Sequence, residues 1–89
     1  MRPLFDNKAF IEWIGRQNPE GRYVFDSCQS CLIARYLKSR GIDKVWVEMT
    51  FVTINSKSSS LLPEGWNAVA MGKGHTYGKA LERAQRLLA

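Results

Sequence analysis

Apolar residues near the start of the chain recur three or four positions apart, which is the spacing of a helix face. These residues are Ala9, Phe10, Trp13 and Ile14. Asp6 stands where an N-cap belongs, and Phe5 before it suits a hydrophobic staple. Residues 18–21 (Asn-Pro-Glu-Gly) favour a turn, so the first helix is predicted to end there.

Two further apolar patterns with helical spacing follow. A broad apolar arc predicts a second and most buried helix over residues 28–40, ended by Gly41. Its N-cap is expected at Asp26 or Ser27. Thr76 is the predicted cap of a last helix. The apolar stripe of that helix comprises Tyr77, Ala80, Leu81, Ala84, Leu87 and Leu88, and its opposite face comprises Lys79, Glu82, Arg83 and Arg86.

Alternation with a period of two over residues 44–54 predicts a long strand or a hairpin. One predicted face carries Val45, Val47, Met49 and Phe51, and the other carries Trp46, Glu48, Thr50 and Val52. Residues 22–25 predict a short strand, and the serine-rich residues 55–60 predict a mobile loop or a hairpin connection. Pro63 suits the first position of a short helical turn. We therefore expect an α+β fold, a single small domain with about three helices packed on a short antiparallel sheet.

The composition is that of a folded domain with a basic balance. The 89 residues include 13 Lys and Arg against 8 Asp and Glu, for a formal charge of +5. Hydrophobic residues make up 45%, which excludes disorder and collagen-like repeats. The charge favours an anionic partner, although it is spread over both halves of the chain. The sequence has no apolar run long enough for a transmembrane helix and no signal-peptide pattern, so a cytoplasmic protein without a membrane partner is expected.

Cys28 and Cys31 form a C-x-x-C pair where the second helix is predicted to begin. A helix N-terminus stabilises a thiolate, and residues 23–47 resemble the start of a glutaredoxin, which implies a redox pair. The rest of the chain is too short for the remainder of that fold. The alternatives are a buried structural cysteine and a papain-like cysteine paired with His75. We predict no cofactor and no metal site, because zinc needs two ligands beyond the cysteines.

Basic and aromatic side chains supply the candidate binding residues. Exposed tryptophan beside Arg or Lys is typical of protein hot spots and of stacking platforms for bases, and at most one of the three tryptophans is expected on the surface. The glycine-rich residues 72–76 also suit an anion, with a flexible link as the alternative. The candidates are Arg35, Lys38, Arg40, Lys44, Trp46, Trp66, Lys73, His75, Lys79, Arg83 and Arg86. The competing interpretation is a charged face that is only solvated.

Short motifs are scattered along most of the chain. They are Trp13-x3-Gln17, Tyr23, Cys31-x2-Ala34-x-Tyr36-Leu37-x3-Gly41, Leu62-Pro63 and Thr76-Tyr77-Gly78-x-Ala80-Leu81. Together they resemble small uncharacterised proteins of proteobacteria and their phages. The resemblance implies a compact α+β protein without assigned enzyme chemistry, often carried by mobile elements. Small proteins of this sort include anti-CRISPR inhibitors, and of the two cysteines Cys31 alone matches the pattern.

Three functional hypotheses follow from these residues. The first is a non-catalytic binding protein, such as an anti-CRISPR-type inhibitor that occupies an acidic or nucleic-acid-binding surface of a host defence complex. The second is a basic module that binds nucleic acid directly. The third is a thiol-disulfide oxidoreductase that uses Cys28 and Cys31.

Overall fold

A computed structural model describes residues 5–24, 30–48 and 51–88. Its elements are α1 (Asn7–Gly15), α2 (Leu32–Ser39), β1 (Val45–Glu48), β2 (Phe51–Ile54), β3 (Ser58–Leu61), α3 (Trp66–Met71) and α4 (Tyr77–Leu88). The three strands form one antiparallel sheet in the order β1-β2-β3. The predicted α+β class is confirmed, and the described ranges hold four helices where about three were expected.

Side-chain caps lie at the starts of α1 and α4, where the sequence predicts them. Asp6 accepts a hydrogen bond from the backbone N–H of Ala9 at 3.2 Å. Thr76 Oγ1 accepts one from the backbone N–H of Lys79 at 3.3 Å. These bonds satisfy backbone donors that the first turn of a helix leaves open, so each cap fixes where its helix begins.

The second helix begins later than predicted. α2 starts at Leu32 rather than at Cys28, and Cys31 is its N-cap, with an extended backbone (φ −70°, ψ 173°). Cys31 Sγ accepts a hydrogen bond from the backbone N–H of Ala34 at 3.4 Å, so the thiol takes the capping role expected of an upstream residue. The residues of this prediction that lie outside the described ranges are Asp26, Ser27 and Cys28.

The alternating segment folds as a hairpin rather than as one strand. β1 and β2 pair antiparallel, with Val47 opposite Val52 and Glu48 opposite Phe51. Residues that lie opposite each other share a face, so Phe51 joins Glu48 rather than Val47. Val52 is accordingly fully buried, and Phe51 is 54% exposed. The faces predicted for Phe51 and Val52 are therefore wrong.

A tight turn in the serine-rich segment connects β2 to β3. The backbone N–H of Lys57 donates to Ile54 O at 3.1 Å. Asn55 and Ser56 have left-handed backbone conformations, with φ of 53° and 58°. β3 then pairs with β2 from its first residue, so the hairpin alternative for residues 55–60 is confirmed.

Of the short strand predicted over residues 22–25, the described residues 22–24 form a single pairing. Arg22 forms an isolated antiparallel bridge with Thr76. This bridge ties the segment after α1 to the residue that caps α4. Residues assigned to predicted strands that lie outside the described ranges are Phe25, Met49 and Thr50.

The core of the helical part is built around Trp66. Its side chain is fully buried, and its ring stacks on Phe10 with 4.1 Å between the ring centres. Its Nε1 donates to Asn7 Oδ1 at 2.6 Å, which satisfies the one polar atom of the indole. The prediction that Trp66 belongs to a binding surface is wrong. The helix that carries it begins at Trp66 rather than at Pro63, and the ring lies inside.

Helix packing covers one face of the sheet in the described part of the chain. Val45, Val47 and Val52 on this inner face are buried members of the core, and α2 packs against the sheet through β1. The opposite face, here called the outer face, carries large exposed apolar side chains. Within residues 5–24, 30–48 and 51–88, every helix is too short or too polar to cross a membrane.

Candidate binding surface

The outer face is formed by alternate side chains of all three strands. It comprises Trp46, Glu48, Phe51, Thr53, Ser59 and Leu61. The register arranges them in two rows, one with Trp46, Thr53 and Ser59 and the other with Glu48, Phe51 and Leu61. Trp46, Phe51 and Leu61 are 45%, 54% and 66% exposed. Large apolar side chains this exposed on neighbouring strands are typical of interaction surfaces.

Polar neighbours hold the aromatic part of this surface in place. Trp46 Nε1 donates to Glu48 Oε1 at 2.6 Å, two residues further along β1. Thr53 Oγ1 and Ser59 Oγ form a hydrogen bond of 2.9 Å between β2 and β3. A ring whose orientation is fixed before binding loses less entropy when a partner covers it. The Trp46 side is therefore preorganised for contact.

A shallow groove lies beside Trp46, close to the turn between β2 and β3. Its volume is about 330 Å³, and it is lined by Lys38, Asp43, Lys44, Val45, Trp46, Thr53 and Ser56. The structure thus brings together three of the predicted binding residues, Lys38, Lys44 and Trp46. Two lysines against one aspartate give this groove a positive balance, which suits an acidic group of a partner.

Arg83 is a structural residue, and the prediction that it faces outward on α4 is wrong. It is 7% exposed, and its guanidinium makes five hydrogen bonds to neutral oxygens. Nε and Nη2 donate to Val69 O, one of the last carbonyls of α3, at 2.9 and 2.7 Å. Nη1 donates to Lys73 O and Gly74 O at 2.6 and 2.8 Å, and Nη2 to the Tyr23 hydroxyl at 2.7 Å. These bonds join α4 to the end of α3 and to the loop after it.

Gly72 and Tyr23 complete the cluster around Arg83. A Cβ at Gly72 would lie 2.5 Å from Arg83 Cδ and 2.6 Å from Nε, so the guanidinium needs glycine at this position. The Tyr23 hydroxyl donates to Ala70 O at 2.8 Å. Burial raises the pKa of this hydroxyl above its ordinary value, and the Arg83 cation partly opposes the rise. The loop considered for anion binding thus turns the carbonyl oxygens of residues 73–74 toward a buried cation.

Arg35 and Arg40 are half-buried and bond within the chain. Arg35 Nε donates to Ser30 O and its Nη1 donates to the Tyr77 hydroxyl, both at 3.0 Å. Arg40 Nη1 donates to the Tyr36 hydroxyl at 2.7 Å, and its Cζ lies 5.8 Å from the centre of that ring. Each guanidinium therefore contributes to the fold, whatever it contacts outside.

The other predicted binding residues lie on α4 or in the loop before it. Lys79 forms an exposed ion pair with Glu82, with 3.7 Å between the charged atoms. His75 is half-buried, and the side chains of Lys73 and Arg86 are exposed. Of these residues, none lines the groove beside Trp46 in the part of the chain that the structure describes.

Cys31 is the described member of the cysteine pair, and Cys28 lies outside the described residues. Cys31 is 5% exposed, and its Sγ accepts the capping hydrogen bond of α2. Thiol-disulfide exchange requires a thiolate that a substrate can reach, which this burial opposes. Among the described residues, no three His, Cys, Asp or Glu side chains gather in a way that could hold a metal ion.

Phe51 and Leu61 are surface residues that the sequence reasoning missed. The alternating pattern predicts Phe51 on the same face as Val45 and Val47, and the serine-rich residues before Leu61 suit a loop as well as a hairpin connection. The feature that determines the face of Phe51 is the number of residues between the paired strands. A two-residue connection between Glu48 and Phe51 preserves their common face across the hairpin.

No protein-family model, curated protein or solved structure matches this chain.

Proposed function

We propose that this chain is a non-catalytic binding protein whose partner docks on the outer face of the sheet. The observation that carries the proposal is the exposed apolar group of Trp46, Phe51 and Leu61 on three adjacent strands. Protein interfaces have an apolar centre, a polar rim and a few dominant anchors, among which tryptophan is enriched. Glu48, Thr53 and Ser59 provide polar positions among these apolar side chains.

The proposed partner is a surface of a cytoplasmic host defence complex, so the chain would be a phage or mobile-element accessory factor of anti-CRISPR type. The resemblance of the scattered motifs to small phage-associated proteins, which the sequence alone suggests, is the reason for proposing this specific form. The net charge of +5 and the two lysines of the groove favour an acidic patch on the partner. Complementary charge of this kind raises the association rate more than it raises the affinity.

Glu48 favours a protein partner over a nucleic acid. Its carboxylate is bonded to the Trp46 indole and lies opposite Phe51 in the sheet. Bases stacked on both rings would bring their phosphates close to this negative charge, which opposes binding. A protein can instead place a basic group beside Glu48 and an acidic group beside Lys44.

Phage plaquing on a bacterial strain with an active CRISPR system tests the proposal. We expect expression of the chain to restore plaquing by a targeted phage, and Trp46→Ala or Phe51→Ser to remove this effect. Truncation of a hot-spot residue lowers affinity by about 30-fold or more. Binding of the purified variants to the defence complex, measured by interferometry, should fall in parallel.

Met71 and Leu87 provide matched controls outside the sheet. They are 47% and 46% exposed, close to the value for Trp46. Met71→Ser and Leu87→Ser should therefore leave plaquing and binding unchanged. The proposal fails if the wild-type chain neither alters plaquing nor binds the complex, or if both pairs of variants behave alike.

Direct binding to single-stranded nucleic acid is the second candidate. The observation in its favour is Trp46 on an open sheet face beside Lys38 and Lys44, a combination that can stack a base and contact its phosphate. Titration with a labelled oligonucleotide should then give an affinity that falls linearly with salt on a logarithmic scale, and Trp46→Ala should weaken it. Absent or salt-independent binding would exclude this function.

A further inference from the structure

The edge of β3 that faces away from β2 has no strand beside it in the part of the chain that the structure describes. In the described ranges, β3 pairs with β2 on one side and ends the sheet on the other. Its side chains from Ser59 to Leu61 are exposed, so the strand is open to solvent on both faces. Backbone groups along such an edge form a template for a further strand.

The sequence of β3 carries no charge and no proline that would block that template, although the strand is short. Soluble proteins protect sheet edges with lysine, proline or inward-pointing charges, and Ser-Ser-Ser-Leu contains none of these. The uncharged strand also does not repel a copy of itself. The edge is only four residues long, so an association through it is expected to be weak and to depend on concentration.

We propose that β3 pairs with β3 of a second copy of this chain, antiparallel about a twofold axis, to give a continuous six-stranded sheet. Twofold pairing is the commonest arrangement of protein dimers. The outer faces of the two copies align only in certain registers, because side chains alternate along a strand. In one such register Ser60 lies opposite Ser60 of the second copy, and Leu61 lies opposite Ser59.

Charge complementarity supports this occupant and this register. Lys57 precedes β3 and Glu64 follows it, and both are exposed. Lys57 and Glu64 lie outside the paired residues, but antiparallel pairing brings the start of each β3 to the end of the other, so Lys57 of each copy comes near Glu64 of its partner. Two symmetric pairs of opposite charge therefore flank the uncharged centre. Each exposed Lys57–Glu64 pair adds only modestly to the free energy of dimerisation. At both ends of the strand pair, however, opposite charges lie near each other.

The dimer also makes the outer faces of the two copies continuous. Leu61 gains Ser59 of the second copy as its outer-face neighbour, in the same row as Phe51. The inference goes beyond the proposed function, because it concerns the edge of the sheet and needs no other partner. Its failure would leave docking on the outer face of a single copy untouched.

Sedimentation equilibrium of the full chain from low micromolar to millimolar concentration tests the proposal. We expect wild type to pass from monomer to dimer over this range. Ser60→Lys and Ser60→Glu should each raise the dimer dissociation constant by about tenfold or more, since each places like charges opposite one another. A mixture of equal amounts of the two variants should restore dimers, because Lys then faces Glu.

Gln85→Lys on the exposed side of α4 adds the same charge away from the edge and should dimerise as wild type does. Tryptophan fluorescence establishes that each variant is folded. A wild-type chain that stays monomeric overturns the proposal, and so does a mixture that stays monomeric. Dimers that survive Ser60→Lys but are lost in Phe51→Ser would show packing of outer faces instead, which also overturns it.

Discussion

Replacing Arg83 by methionine removes five hydrogen bonds while keeping most of the aliphatic volume of the side chain. Two of the acceptors that would lose their donor, Val69 O and the Tyr23 hydroxyl, are in buried hydrogen bonds. The hydrogen bonds to the carbonyls of residues 73–74 are only partly buried. Each buried acceptor left unsatisfied costs about 1–3 kcal/mol, so two of them predict a loss of about 4 kcal/mol. Water can reach the loop carbonyls and limit their contribution.

This loss is a large part of the stability of a small domain, which is roughly 4–13 kcal/mol for a chain of this length. Urea unfolding followed by tryptophan fluorescence measures it directly, because the buried Trp66 reports on the core. Arg86→Met is the matched control, since it removes the same charge from an exposed position on the same helix. The free energy of unfolding of this control should lie within about 0.5 kcal/mol of the wild-type value.

Arg83→Lys separates the charge from the geometry of the guanidinium. Lysine keeps the cation but has a single nitrogen, which cannot serve Val69 O, Tyr23 and the loop at once. Its stability should therefore lie between wild type and Arg83→Met. If the free energies of unfolding of Arg83→Met and Arg86→Met agree within about 0.5 kcal/mol, the assignment of a structural role to Arg83 is refuted.

Three further predictions concern the same cluster and the hairpin turn. Gly72→Ala should destabilise the domain by about 2 kcal/mol or more in urea unfolding, since its Cβ would displace a guanidinium fixed by five bonds. Ser56→Gly should stabilise it by about 0.5–1 kcal/mol, because glycine tolerates the left-handed backbone at that position. The raised pKa of Tyr23 predicts stability that is fully present below about pH 10 and is lost as pH rises through the folded pKa. Urea midpoints measured from neutral to alkaline pH should show this loss, and Tyr23→Phe should flatten it.

Each of these predictions has a result that contradicts it. A Gly72→Ala variant as stable as wild type would show that Arg83 can move without cost. A Ser56→Gly variant less stable than wild type would show that Ser56 does not adopt the left-handed conformation. An alkaline loss of stability that is equally steep in Tyr23→Phe would assign it to other groups.

Local signals in the sequence account for much of the fold. Asp6 and Thr76 cap their helices as predicted, because a capping bond depends only on residues within one turn. The apolar spacing also identifies the buried faces of α1 and α2. Cys31 shows the limit of such signals. It fills the N-cap position that the better capping residues upstream were expected to hold.

The candidate surface could be predicted only in part. Trp46 and Trp66 are both among the predicted binding residues, but Trp46 is exposed and Trp66 is fully buried. The sequence around each tryptophan is compatible with a ring on the surface and with a ring in the core. Phe51 was placed on the wrong face because its orientation depends on where β1 ends and β2 begins, a pairing between strands rather than a local preference.

The α+β class, the buried faces of α1 and α2 and two helix caps can be predicted from the sequence, because all of these depend on residues close together in the chain. The apolar stripe predicted for α4 is wrong at Leu87, which is exposed. Tertiary packing determines which tryptophan lies outside, which face Phe51 occupies and that the Arg83 cation is buried. These outcomes depend on which elements meet across long stretches of chain. Arg83, for example, bonds to Tyr23 across 60 positions. Spacing cannot reveal such a contact, because the packing of whole elements creates it.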